Sequence, residues 1–151
     1  QWVWFDYWCM PQGQRSAAEN AEFKHMLTHA NLLYLGCSVL ILLDLSYLSR
    51  FWTQFECWLS MQEATPDGLQ SAARDKSRCK IRTIYGANSM MIESLYAMWA
   101  SRNPQEAYSM LAKPDVTVTN ASDKEEQLGK LGKLNGEVQA ALKEGGGQLD
   151  A

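Results

Sequence analysis

The sequence has no apolar run long enough to cross a bilayer. Its longest, Leu32 to Leu45, spans fourteen residues broken by Gly36, Ser38 and Asp44, against the roughly twenty that a spanning helix needs. No basic stretch precedes an apolar one near the amino end, so no secretory leader is expected in it. Excess positive charge is missing too: fourteen Lys and Arg against seventeen Asp and Glu give a formal net charge of −3 and a pI near 5.4. Neither nucleic acid nor a membrane is therefore expected as a partner, since their anionic surfaces are held largely by basic residues. No Gly-x-Gly-x-x-Gly or P-loop occurs, which removes the usual phosphate cradles. The four cysteines, Cys9, Cys37, Cys57 and Cys79, form no Cys-x-x-Cys pair. Their apolar surroundings fit reduced, buried thiols of an intracellular, cytoplasmic protein. Only two histidines are present; His25 and His29 share a helical face at i, i+4, but without a His-Glu-x-x-His pattern this reads as a solvated face and no metal site is expected.

What is present is enough for one sizeable core: 151 residues, 46% hydrophobic and 21% charged. Trp2 to Tyr7 is aromatic and β-branched, a strand pattern ended by Pro11-Gln12-Gly13. From Ser16 the period changes, and Phe23, Met26, Leu27, Ala30 and Tyr34 make one helical stripe that Gly36 can close. Cys37 to Leu43 is almost wholly apolar, as a parallel strand covered on both faces should be. Ser49 is placed to cap a helix running to about Ala64, and Thr65-Pro66-Asp67-Gly68 reads as a turn. A strand over Cys79 to Tyr85 turns Lys80 and Arg82 outward, Ser89 to Ser101 forms a helix, and Asn103-Pro104 opens a short one. Val116 to Thr119 reads as a last strand. After Ser122, which with Glu125 matches a capping box, a helix weakened by Gly129, Gly132 and Gly136 runs into a Gly-rich linker.

This alternation implies an α/β fold: an open parallel sheet flanked by helices, of flavodoxin-like type. The expected division is residues 1–121 as the α/β domain and 122–151 as the amphipathic helix and linker. Because the chain opens at Gln1 directly into a strand pattern, the expectation is a piece of a longer chain, lacking the sheet's first strand and helix.

In open parallel sheets ligands bind beyond the carboxyl ends of the strands, which singles out residues 6–12 and 44–49. The segment Ser46-Tyr47-Leu48-Ser49-Arg50-Phe51-Trp52-Thr53-Gln54-Phe55-Glu56 resembles the Toll/interleukin-1 receptor (TIR) domain motif after the third strand. Tyr47, Ser49, Trp52 and Glu56 match it by type, with Thr53 standing where the family has Cys. Trp4-Phe5-Asp6-Tyr7-Trp8-Cys9-Met10-Pro11-Gln12 resembles the opening motif of heterokaryon-incompatibility (HET) domains, with Asp6, Cys9 and Gln12 in matching positions.

The resemblance implies a TIR-like fold and an intracellular role in immune or stress signalling. It further implies hydrolysis of NAD to nicotinamide and ADP-ribose, with Glu56 acting at the ribose as the bond to nicotinamide breaks. Asp6, Trp8, Tyr47, Ser49 and Trp52 would bind the dinucleotide as substrate, with no resident cofactor. The rival expectation is a non-enzymatic module that self-associates in the manner of TIR domains. The bland readings are that Glu56 favours a helix dipole and that Trp8 and Trp52 pack.

Overall fold

A computed structural model describes residues 2–118 and 121–146, apart from the side chains of Asp6, Arg74 and Asp123. The chain forms two compact units, residues 1–33 and 34–151.

The first unit corrects the expected opening strand. Among its described residues Trp2 to Phe5 form no strand. The backbone instead closes a single helical turn, α1 (Asp6–Cys9), in which Trp8 N and Cys9 N donate to Phe5 O at 3.0 and 2.8 Å. A strand needs a neighbouring ladder to satisfy its backbone, and without one, local i→i+4 bonds win. Helix α2 (Ala17–Gly36) matches its expected stripe: Phe23, Met26, Leu27, Ala30 and Tyr34 are its less exposed residues. Its start is fixed reciprocally, Ser16 N donating to Glu19 Oε2 at 2.8 Å and Glu19 N to Ser16 Oγ at 3.3 Å.

The second unit is mixed α/β. Its elements are β1 (Val39–Leu43), a 3₁₀ turn (Tyr47–Ser49), α3 (Phe51–Ser60), β2 (Gln62–Thr65), β3 (Gly68–Ser71), a second 3₁₀ turn (Arg74–Lys76), β4 (Cys79–Thr83), α4 (Ser89–Trp99), α5 (Pro104–Leu111) and α6 (Ala121–Gly146). The α/β class holds, but the continuous parallel sheet does not form among the described residues. β1 pairs only with β4, in parallel, while β2 and β3 make a separate antiparallel hairpin. The expected strand over Val116 to Thr119 contributes one isolated parallel bridge, Arg50 to Thr117; Thr119 lies outside the described residues.

Helix α3 stops at Ser60 rather than Ala64 because Gln62 to Thr65 pairs back across the turn onto Gly68 to Ser71. Gly68 sits at φ +104, a left-handed backbone that glycine adopts without strain. Helix α6 is bound into this unit rather than standing apart as a tail. Leu69 N donates to Asn135 Oδ1 at 2.9 Å and Gln139 Nε2 to Asp67 O at 2.7 Å, while Leu128, Leu131 and Val138 are buried in the core. Ser122 falls inside α6, so it is not the expected cap.

The core is built on α3. Phe51, Phe55 and Trp58 stack along it with centroid separations of 5.9 and 6.4 Å, against Leu43, Ile81, Leu95, Trp99 and Leu111. Arg78 ties the unit's edges together: its guanidinium donates to Cys37 O at 2.8 Å, Tyr34 O at 3.2 Å and Gln62 O at 2.7 Å. No helix among the described residues is long and apolar enough to cross a membrane.

Candidate functional site

The turn from β1 into α3 carries most of the expected site residues, and its geometry follows from short polar side chains. Asp44 Oδ1 accepts from Ser46 N and Ser46 Oγ, both at 2.9 Å, bending the chain out of the strand. Ser49 Oγ donates to Ser46 O at 2.9 Å, so this hydroxyl is spent within the turn. Ser49 is not the cap of α3: the cap position is Arg50, with no side-chain bond. The helix's first N–H is met from outside, Phe51 N donating to Thr117 O at 2.8 Å, while side chains of the first turn tie down the carbonyls of the preceding turn. Thr53 Oγ1 donates to Tyr47 O at 2.7 Å and to Arg50 O at 3.0 Å, and Gln54 Nε2 donates to Leu48 O at 2.7 Å. Thr117 completes the joint, its N and Oγ1 donating to Ser49 O at 2.8 and 2.9 Å.

Tyr47 is buried, Ser49 is exposed, and Trp52 and Glu56 are half-buried on the least covered face of α3. Burial raises the Tyr47 phenol well above its ordinary value of 10, helped by the neighbouring Cys57, Glu56, Cys79 and Tyr34. Burial likewise raises the Cys57 thiol well above 9, with Cys79 and Glu56 adding to it. Tyr47, Glu56 and Cys57 therefore share one electrostatic neighbourhood, a carboxyl beside a phenol that keeps its proton. Cys79 is also raised, chiefly by burial. Thiols held protonated in apolar surroundings are poor nucleophiles. The expectation of four buried cysteines holds for Cys57 and Cys79 only; Cys9 and Cys37 are exposed, and all four are free.

Neither of two grooves in this unit is bordered by both Trp52 and Glu56. Trp52 borders a small open groove of about 220 Å³ with Arg50, Phe51, Thr117 and Val118. A second open groove of about 450 Å³ lies between Pro114, Val116, Val118, Lys124 and Leu128. Glu56 borders neither. Asp6 and Trp8 belong to the other unit; Trp8 is exposed on α1, and the Asp6 side chain lies outside the described residues. No cluster of three metal-ligating side chains occurs among the described residues. His29 Nδ1 lies 2.8 Å from His25 O, a contact within one helix.

The feature missed by the motif reading is the outer face of the β1–β4 pair. Strand register sets Ile41 opposite Ile81 and Leu43 opposite Thr83 on the core side, and Leu40 opposite Lys80 and Leu42 opposite Arg82 on the other. Leu40 and Leu42 are 61% and 50% exposed, and Lys80 and Arg82 are exposed beside them. Parallel sheets are ordinarily covered on both faces. Within residues 34–151 this one is covered on one, correcting the expectation that β1 is enclosed on both sides. The signal was available in β4, whose alternation of Cys79 and Ile81 with Lys80 and Arg82 already specifies a half-covered sheet.

Comparison of the chain with protein-family models, with curated proteins and with solved structures gives no significant match.

Proposed function

We propose that the chain is a protein-interaction module of TIR/HET-like, flavodoxin-related type that works by assembly with other protein surfaces. The observation that carries this reading is the open face of the β1–β4 pair, where two exposed leucines lie side by side on regular backbone. Contiguous exposed apolar side chains on a rigid element are the usual mark of an association surface. The groove bordered by Trp52 favours it too: at about 220 Å³ it is below the roughly 300–1,000 Å³ of small-molecule sites.

A second reading, cleavage of NAD by Glu56, is favoured by one observation: half-buried Glu56 lies on the helix that follows the carboxyl end of β1 and adds to the upward push that burial gives the Tyr47 phenol. Sedimentation of the chain over a concentration series separates the readings. The interaction module forms complexes, with further copies or with an added amphipathic helical peptide, whose mass rises with concentration and whose formation Glu56→Gln leaves unchanged. A strictly monomeric chain that releases nicotinamide from NAD overturns it.

A further inference from the structure

The chemistry of the open β1–β4 face specifies its occupant, and this step rests on the interaction reading above. The face is two-toned. Along β1 it offers Leu40 and Leu42; along β4, in direct register, it offers Lys80 and Arg82. Among the described residues neither cation meets a carboxylate: Arg82 Nη1 donates to the Ile81 carbonyl at 3.0 Å, and the ion pairs lie elsewhere, at Lys76–Glu63, Arg102–Glu106 and Lys130–Glu126. Two cations without counter-charges beside two bare leucines, in a chain of net charge −3, are a surface whose complement is apolar and acidic. Two copies meeting face to face about an axis across the strands would set Lys80 and Arg82 against their own counterparts, and about an axis along the strands would lay them over Leu40 and Leu42; neither arrangement gives the cations a counter-charge.

We infer that this face receives one amphipathic α-helix of a partner chain, with a leucine-type stripe over β1 and Asp or Glu along the flank over β4. Helices are what normally cover parallel strands. The dimensions agree: five residues of strand run about 16 Å, the length of about eleven helical residues. The asymmetry also fixes direction, since the acidic flank fits over β4 only when the helix runs one way.

The test uses the full chain and three probes: a synthetic amphipathic helical peptide with a Leu stripe and a Glu flank, its twin with Lys in place of Glu, and vesicles containing phosphatidylserine. The expected result is that the Glu peptide binds at least tenfold tighter than the Lys twin, and that Lys80→Glu with Arg82→Glu reverses the preference. Leu40→Ser with Leu42→Ser weakens both peptides while circular dichroism stays native, because both leucines are already exposed. Equal binding of the two peptides, or a preference that the charge reversal does not move, overturns the inference; the interaction reading survives that result if the chain still forms complexes. Self-association that excludes the Glu peptide and is lost with the leucine pair makes a second copy the occupant, which also overturns the inference and leaves the reading intact. Binding to vesicles alone overturns both.

Discussion

At the scale of single residues, burial of ionisable groups makes a directional prediction. Unfolded, Cys57 and Cys79 ionise near 9 and Tyr47 near 10; folded, all three keep their protons to higher pH. Above pH 9 the native state therefore binds more protons than the unfolded one, so stability falls as pH rises and the contribution is fully present below that point. The urea midpoint should decline above pH 9, and Tyr47→Phe should flatten the part of the decline above pH 10. An unchanged slope in that variant contradicts the placement of Tyr47. Arg78 makes a second prediction. Its guanidinium satisfies three carbonyls at 2.7–3.2 Å, so Arg78→Met should cost about 2–3 kcal/mol in chemical denaturation, charged hydrogen bonds being the stronger kind. Of the β1–α3 joint, its place at the carboxyl end of β1 was legible, since the apolar run ends at Asp44 and the helix begins a few residues beyond it. The ties from Thr53 and Gln54 back to the turn were not, because they depend on where the turn's carbonyls point.

At the scale of elements, local signals carried well and pairing signals did not. Helices α2, α4 and α5 follow from their apolar spacing, and all three starts are fixed by side chains adjacent in sequence: Ser16 and Glu19 bond reciprocally, Asn88 accepts from Met91 N, and Asn103 and Glu106 form a capping box. Strand pairing is non-local, and strand propensity measures fit to a pleated, half-buried surface rather than an intrinsic backbone preference. That is why Trp2 to Tyr7 has strand composition without a strand, and why the hairpin β2–β3 hides in a polar stretch whose Thr65-Pro66-Asp67-Gly68 turn is its clearest sign. Apolar composition alone makes β1 look enclosed; the register with β4 shows one side open. Helix α6 offers a test of its own. Gly129, Gly132 and Gly136 have open space where a Cβ would stand, so each change to Ala should raise stability by roughly 0.5–1 kcal/mol. A loss of stability in thermal melts contradicts the packing described for α6.

At the scale of the whole molecule, weak acidity and a half-covered sheet point the same way. A chain of net charge −3 is poorly suited to polyanions, yet it collects two cations beside two leucines on one face, a pattern that selects an acidic, apolar protein surface. The joint between β1 and α3 carries Tyr47 and leads into the helix that carries Glu56, and Glu56 borders neither of the two grooves described above. Binding through the sheet face and chemistry at Glu56 are therefore separable claims, and one measurement divides them: the chain incubated with NAD, followed by proton NMR for free nicotinamide, alongside Glu56→Ala. The interaction module predicts that wild type and variant both leave NAD intact at the buffer rate. Nicotinamide released by the wild type and lost in Glu56→Ala contradicts it.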